Sequence, residues 1–361
     1  MREYDVIIIG AGPAGLGAAI ELAKAGARPL LIDENSKPGG QLFKQIHKFF
    51  GSKEHYAGTR GYIIGENLLK EAAELGVEIL LNTRVWGIYP DNSITIVTAA
   101  YSERLKARFI IIATGASENA LSFPGCTMPG VITAGAAQTF VNIYHVLPGK
   151  KVVVVGSGNV GLIVAYQLMQ AGAKVEAIIE AMPKISGYAV HAAKVKRAGV
   201  PVILSHTIVK AVGDSELEGV IIGKLDDQMQ HIQGSEKLIE ADTICIAVGL
   251  TPRIELAALG NCKLQYSPIL GGMLPWHNSN LETSQESIFV AGDVAGIEEA
   301  STALDEGRLA GVTVALKLGL IDVKVFKIQD EIIKNRLNSL RQGTFGEKRR
   351  KAKHEIWEAK N

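Results

Sequence analysis

Unbroken apolar runs mark five places along the chain, at residues 6–9, 109–112, 152–155, 244–248 and 288–291. Strands covered on both faces read this way, so a parallel sheet flanked by helices is expected. Two of these runs open similar stretches. Residues 4–9 lead into Gly10-Ala11-Gly12-Pro13-Ala14-Gly15, a helical pattern up to Gly26, and a second strand that ends in Asp33-Glu34. Residues 151–155 lead into Gly156-Ser157-Gly158-Asn159-Val160-Gly161, a helical pattern up to Gly172, and a strand ending in Glu180. Each is a strand, a glycine turn, a helix and a strand closed by an acid, so the chain is read as carrying two βαβ units. The apolar stretch 6–20 is broken by Gly10, Gly12, Pro13 and Gly15. A membrane span needs about 20 continuous apolar residues, so no span and no export signal are expected.

The glycine string alone says little, because 39 glycines in 361 residues give roughly 0.45 chance matches to GxGxxG. Its context supplies the meaning. The first glycine allows the tight turn, the second lets backbone approach a diphosphate, and the third lets helix and strand pack closely. The helix start then offers unpaired N–H groups and a partial positive charge. The closing acid would accept ribose hydroxyls. Asp33 and Glu34 lie eighteen and nineteen residues past Gly15, and Glu180 nineteen past Gly161. An acid at position 180 would repel a 2′-phosphate, and Ala-Met-Pro-Lys at 181–184 holds no arginine pair to receive one, which points to NADH over NADPH. The fold class is therefore α/β with two Rossmann-like dinucleotide-binding domains.

Composition narrows the field. Lys and Arg number 38 against 37 Asp and Glu, so no basic field speaks for nucleic acid. Residues 321–361 hold eleven Lys or Arg against six Asp or Glu, which sets a basic, helical tail apart from a slightly acidic remainder. The cysteines at 126, 245 and 262 form neither a CxxC nor a metal-site spacing, so no metal is expected and the usage suits a reducing cytoplasm.

Two such units, with Ala113-Thr114-Gly115 after one strand and Ala291-Gly292-Asp293 after another, resemble the two-dinucleotide-domain flavoproteins, among them thioredoxin reductase and the pyridine nucleotide disulfide oxidoreductases. The resemblance covers about residues 1–320. It implies FAD in the first unit, with Gly292 and Asp293 at its pyrophosphate and ribityl chain. It places the helix start near Ala300 at the flavin edge, Gly40 and Gln41 beside the cofactor, and Val85 at the adenine. The FAD domain would comprise 1–116 and 247–325, interrupted by an NAD(P)-binding domain at 117–246 and followed by the tail at 326–361. In the segment where thioredoxin reductases carry their CxxC, Ala134 and Ala137 stand instead, and alanine cannot exchange disulfides.

The run from Phe123 to Gln138, with Gly39-Gly40-Gln41 and the later Glu306-Gly307-Arg308, resembles more narrowly the α-type FAD subunits of opine oxidase, dye-linked proline or hydroxyproline dehydrogenase, hydrogen cyanide synthase and sarcosine oxidase. That likeness implies a partner subunit with its own FAD that oxidises an amine. It also implies that any iron–sulfur centre sits on a separate subunit, since no cysteine follows Cys262. The alternatives are a thioredoxin-reductase-like flavoenzyme reducing a ferredoxin or a quinone, and a non-catalytic dinucleotide-binding scaffold. No catalytic acid or base is assigned. Lys44 and His47, in the 41–50 segment after the Gly-Gly turn, and Trp276-His277, read as an exposed loop, are weaker candidates. Glu298-Glu299 reads as a helix cap whose charge would oppose negative charge building on the flavin. Cys126 and Cys245 read as packing, Cys262 as an exposable thiol, and Lys348-Arg349-Arg350-Lys351 as a solvated helix end with a possible docking role.

Overall fold

A computed structural model describes residues 1–49 and 51–359, apart from the side chains of Thr344 and Phe345. Phe50, at the end of the 41–50 segment, and the last two residues of the tail lie outside the described residues. The chain forms two compact units. One joins Met1–Ser117 with Thr251–Asn361, and the other is Glu118–Leu250.

The first unit is built on a seven-stranded sheet. Its path runs Glu78–Leu80, Pro29–Ile32, Arg2–Ile9, Ser102–Ile112, Ser93–Val97 and Arg84–Ile88, and Ile288–Val290 also pairs with Ser102–Ile112. The long Ser102–Ile112 strand serves two neighbours on one side: residues 102–106 pair antiparallel with 93–97, and 110–112 pair parallel with 288–290. Ile7, Ile8, Leu30, Leu31, Ile110 and Ile111 are fully buried, as the unalternating runs require. The helices Pro13–Lys24 and Ala300–Lys317 pack along each other. Gly307 permits this, since a Cβ there would stand 1.9 Å from the Ala14 carbonyl oxygen.

The tail is helical and continues this unit as Val323–Leu340 and Gly343–Glu358. Ala352 and Ile356 pack with Leu270 and Leu274, flanked by Trp276 and Trp357.

The second unit has a parallel sheet in the order Val202–Leu204, Lys174–Glu180, Lys151–Val155, Thr243–Ile246, Val131–Thr133. An antiparallel sheet of His206–Val212, Gly219–Lys224 and Lys237–Glu240 accompanies it. Among the described residues no helix is long and apolar enough to cross a membrane.

Candidate functional site

Each unit presents the same turn. Gly10 has φ +106°, and a Cβ there would lie 2.2 Å from the Ala113 carbonyl oxygen; Gly156 has φ +101° and would lie 2.3 Å from that of Ala247. Both positions demand glycine twice over, by backbone conformation and by contact. Gly15 and Gly161 face the carbonyls of Gly10 and Gly156, at 1.8 and 2.1 Å from a would-be Cβ. By contrast, a Cβ on Gly12 or Gly158 would meet nothing within 4 Å. Open space therefore lies over the second glycine of each turn, beside the starts of the helices Pro13–Lys24 and Asn159–Gln170. The first N–H groups of a helix have no partner inside it, so each turn has the shape and polarity to cup a diphosphate.

The closing acids are held alike. Ala11 N–H donates to Asp33 Oδ2 at 2.7 Å, and the Asn35 N–H and amide donate to Oδ1, both at 2.8 Å. Ser157 N–H donates to Glu180 Oε2 and Met182 N–H to Oε1, both at 2.9 Å. Glu34, by contrast, points outward to Arg253 and Arg84. Glu180 carries more: the Ser157 hydroxyl at 2.5 Å and the Ser186 hydroxyl at 3.1 Å also donate to Oε2.

A glycine-bearing strap crosses each turn. Gly39 N–H donates to the Ala11 carbonyl at 2.6 Å, and Gly187 N–H to the Ser157 carbonyl at 2.8 Å. A Cβ on Gly40 would stand 2.9 Å from Gly12 Cα, and one on Gly187 3.0 Å from Asn159 N. Sequence reading missed the second strap, although a signal existed: glycine stands six and seven residues past Asp33, at 39 and 40, and seven past Glu180, at 187. Gln41 is exposed and follows Gly40 in a short 3-10 turn.

Further residues of the first unit border its turn. Thr114 Oγ1 donates to the Arg253 carbonyl, and Gly115 turns with φ +71°. Gly292, at φ +76°, approaches Ala14 and Ala303 closely. Asp293 follows it; the loss of water around its carboxyl pushes its pKa up to about 7, helped by the charges of Glu306, Glu299 and Glu298 and opposed by the Glu298 N–H. Ala300 opens the Ala300–Lys317 helix, whose cap is Glu299, with Glu299 N–H donating to Thr302 Oγ1. Val85 lies part-buried where Arg84–Ile88 bulges against its neighbour.

Several expectations change. His277 is fully buried, not in an exposed loop, with Nδ1 on the Pro275 carbonyl; burial, with the nearby Lys353 charge, pushes its pKa down to about 3. Cys262 is buried against Thr283 rather than exposed, and burial raises its thiol pKa. Cys245 is core, its thiol pushed up to about 12 by burial. Glu298 and Glu299 do not face the helix start as a bare negative pair, because Arg341 and Arg349 bind them. His47 stacks on Phe49. Ala134 and Ala137 are buried in the Ala134–Asn142 helix, whose start is held by Glu118 through Thr133 and Gly135 N–H. Among the described residues no metal-ligating cluster forms.

Two glycine turns, each between parallel strands and a helix, define a two-dinucleotide-domain oxidoreductase. The family model for pyridine nucleotide-disulphide oxidoreductases matches residues 4–307, and the chain belongs to that family. It is 29% identical to an opine oxidase subunit of Rhizobium meliloti, over 88% of this chain and 72% of that protein. It is also 29% identical to the HcnB subunit of hydrogen cyanide synthase from Pseudomonas aeruginosa, over 86% and 70%. Thioredoxin reductase of T. acidophilum superposes with a TM-score of 0.74 at 25% identity, over 88% of this chain and 99% of that one.

Proposed function

We propose that this chain is an electron-transferring subunit that holds FAD in the first unit and NADH in the second, and works with a separate FAD-containing subunit that oxidises an amine or amino acid. FAD, when bound, supplies hydride and electron exchange. The observation that carries the reading is the pair of matching turns, each open where a Cβ on its second glycine would stand, with Gly292–Asp293 close beside the first.

In this reading the Gly12-Pro13-Ala14-Gly15 helix start and Gly292 take the FAD diphosphate, with Ala113, Thr114 and Gly115 lining the end of the adjacent strand. Asp33 accepts a ribose hydroxyl on Oδ2, which keeps a lone pair beyond its bond to Ala11, while Glu34 pairs outward with Arg253 and Arg84. Val85 meets adenine through its backbone. Asp293, with its pKa near 7, can hold a proton at neutral pH and so either donate to or accept from a ribityl hydroxyl. The N-terminal end of the helix at Ala300 presents partial positive charge to the flavin edge. In the second unit Gly158, Asn159 and Gly161 take the nicotinamide cofactor's diphosphate. Glu180 Oε1 keeps room for a ribose hydroxyl and disfavours a 2′-phosphate.

The names of the curated relatives, each a component of an oxidase or a synthase, support a partnered role. A separate iron–sulfur subunit fits the same role, and three unpaired cysteines suit a cytoplasmic setting. The likeness to thioredoxin reductase supports a second reading, reduction of a ferredoxin or quinone without a dithiol relay, since Ala134 and Ala137 fill the relay positions.

Anaerobic visible spectra test the reading. NADH, and not NADPH, should bleach the flavin bands, and an amine should bleach them only with the partner subunit present. Bleaching by NADH with transfer to ferredoxin and no partner on purification would favour the second reading. A yellow protein that bleaches under neither condition is a scaffold.

A further inference from the structure

Two cations from the tail, beyond the part of the chain matched by the family, end at the wall of the first turn. Lys353 is fully buried; its Nζ donates to Glu306 Oε1 at 2.8 Å and to the Ala295 carbonyl at 3.0 Å. Arg341, 3% exposed, grips Glu298 through Nε and Nη2, at 2.9 and 2.7 Å, and reaches Glu306 Oε1 at 2.5 Å. The other oxygen of Glu306 accepts Gly292 N–H at 3.0 Å. Glu298 N–H in turn points at Asp293 Oδ1, at 3.4 Å. The segment between the Ile288–Val290 strand and the Ala300–Lys317 helix is thus held at Gly292, Ala295 and Glu298 by two positive charges from residues 341 and 353.

The cluster is electrically balanced, with two carboxylates and two cations. Burial opposes ionisation of Glu306, but Lys353 and Arg341 outweigh it and hold the carboxyl below its ordinary range. Stability alone gives little reason for such a cluster, because well-packed apolar side chains of the same volume commonly stabilise as well or better. The tail already has an apolar attachment through Ala352 and Ile356.

We propose that Lys353 and Arg341 are positioning residues of the flavin site: by neutralising and fixing Glu306 and Glu298 they hold the Gly292–Asp293 wall and remove net negative charge from behind the cofactor. The inference rests on FAD occupying the first turn. It explains why Glu298, on sequence grounds one of a pair that opposes negative charge on the flavin, is compatible with that role. It also predicts effects of opposite sign from two neighbouring substitutions. Lys353→Met leaves the cluster net negative, so reduction, which adds negative charge nearby, becomes harder. Glu306→Gln leaves it net positive, and reduction becomes easier.

The test is the flavin midpoint potential and the FAD dissociation constant of the full chain, with folding checked by circular dichroism. Lys353→Met should lower the midpoint and weaken FAD binding about tenfold, a small part of what is lost when a buried pair loses one partner. Lys353→Arg should restore both. Glu306→Gln should raise the midpoint, and the double variant should return it toward the starting value. Should Lys353→Met fail to fold, the sign of the shift in Glu306→Gln still decides. A folded Lys353→Met with unchanged potential and FAD affinity, or both single variants shifting the midpoint the same way, would overturn the proposal. A wild-type chain that takes up no FAD would instead overturn the reading on which it rests.

Discussion

The two glycine turns share their backbone and differ in what surrounds it. Gly10 and Gly156 press on equivalent carbonyls, Asp33 and Glu180 accept from equivalent N–H groups, and Gly39 and Gly187 strap equivalent residues. Around the first turn Ala11 and Asn35 bind the acid, and Gly292–Asp293 is backed by four charged residues. Around the second turn the acid is wrapped by two serine hydroxyls. The two turns thus share a framework, with a further segment beside the first and the second tightened around its acid. The glycines set where a diphosphate can sit; the neighbours set what else fits.

The hardest break is Gly10→Ala against Gly156→Ala. Each puts a Cβ about 2 Å from a carbonyl oxygen at positive φ, so each should cost ~3–5 kcal/mol by combining backbone strain with overpacking. The expected difference is one of location. Gly10→Ala should lose FAD, and Gly156→Ala should keep it. All three tryptophans, at 86, 276 and 357, lie in the first unit, so their fluorescence should follow unfolding in the Gly10 variant, while circular dichroism follows both. FAD content unchanged in a folded Gly10→Ala protein would contradict the assignment.

Asp293 sharpens the contrast through pH. Its folded pKa is raised from 3.8 to about 7, so between those values the folded protein holds a proton that the unfolded chain has released. Stability of the FAD-free protein should therefore fall as pH rises from about 4 to about 7 and stay low above that. Asp293→Asn should remove the fall, giving ~2–4 kcal/mol at pH 8 and nothing near pH 4. Tryptophan-monitored denaturation at the two pH values reads it directly, and an equal gain at both would refute the protonation account.

Local chemistry made the turns legible. A tight turn needs glycine, a buried parallel strand needs an aliphatic run, and an acid at a strand end is short-range information, so Gly10 to Gly15, Asp33, Gly156 to Gly161 and Glu180 stand out in the sequence. The cluster behind Gly292 was not legible. Arg341 and Lys353 lie 35 and 47 residues from Glu306, and no spacing rule joins groups brought together by helix packing. A lysine in a basic helical tail reads as solvated, and only the fold shows that residue 353 points inward while Lys348, Arg350 and Lys351 face solvent. The burial of His277 and Cys262 was hidden for the same reason, since neighbours far along the chain cover them.

Gly187→Ala probes the second strap. The backbone there is not in the left-handed region, so the cost comes from contact: a Cβ would stand 2.7 Å from Leu162 Cδ1, 2.9 Å from the Ser157 oxygen and 3.0 Å from Asn159 N. Lifting the strap should cost ~1–3 kcal/mol and weaken NADH binding with FAD content intact. NADH affinity measured by fluorescence titration should fall, and an unchanged value would show that the strap does not shape the nucleotide site.

The smallest expected effect on NADH binding comes from Ser157, whose hydroxyl donates to Glu180 Oε2 and accepts from Ser186 N–H at 3.0 Å. Ala11 fills this place in the first turn without any hydroxyl, so Ser157→Ala makes the second turn resemble the first. Glu180 keeps Ser157 N–H, Met182 N–H and the Ser186 hydroxyl, and the lost bond to a charged acceptor should cost ~1.5–3 kcal/mol at most. Its value lies in selectivity. With one donor fewer, Glu180 is freer to turn toward a ribose, so NADH affinity should fall less than stability does. An NADH affinity that drops in step with Gly187→Ala would show instead that the serine hydroxyl, and not the strap, holds the acid in place for its ligand.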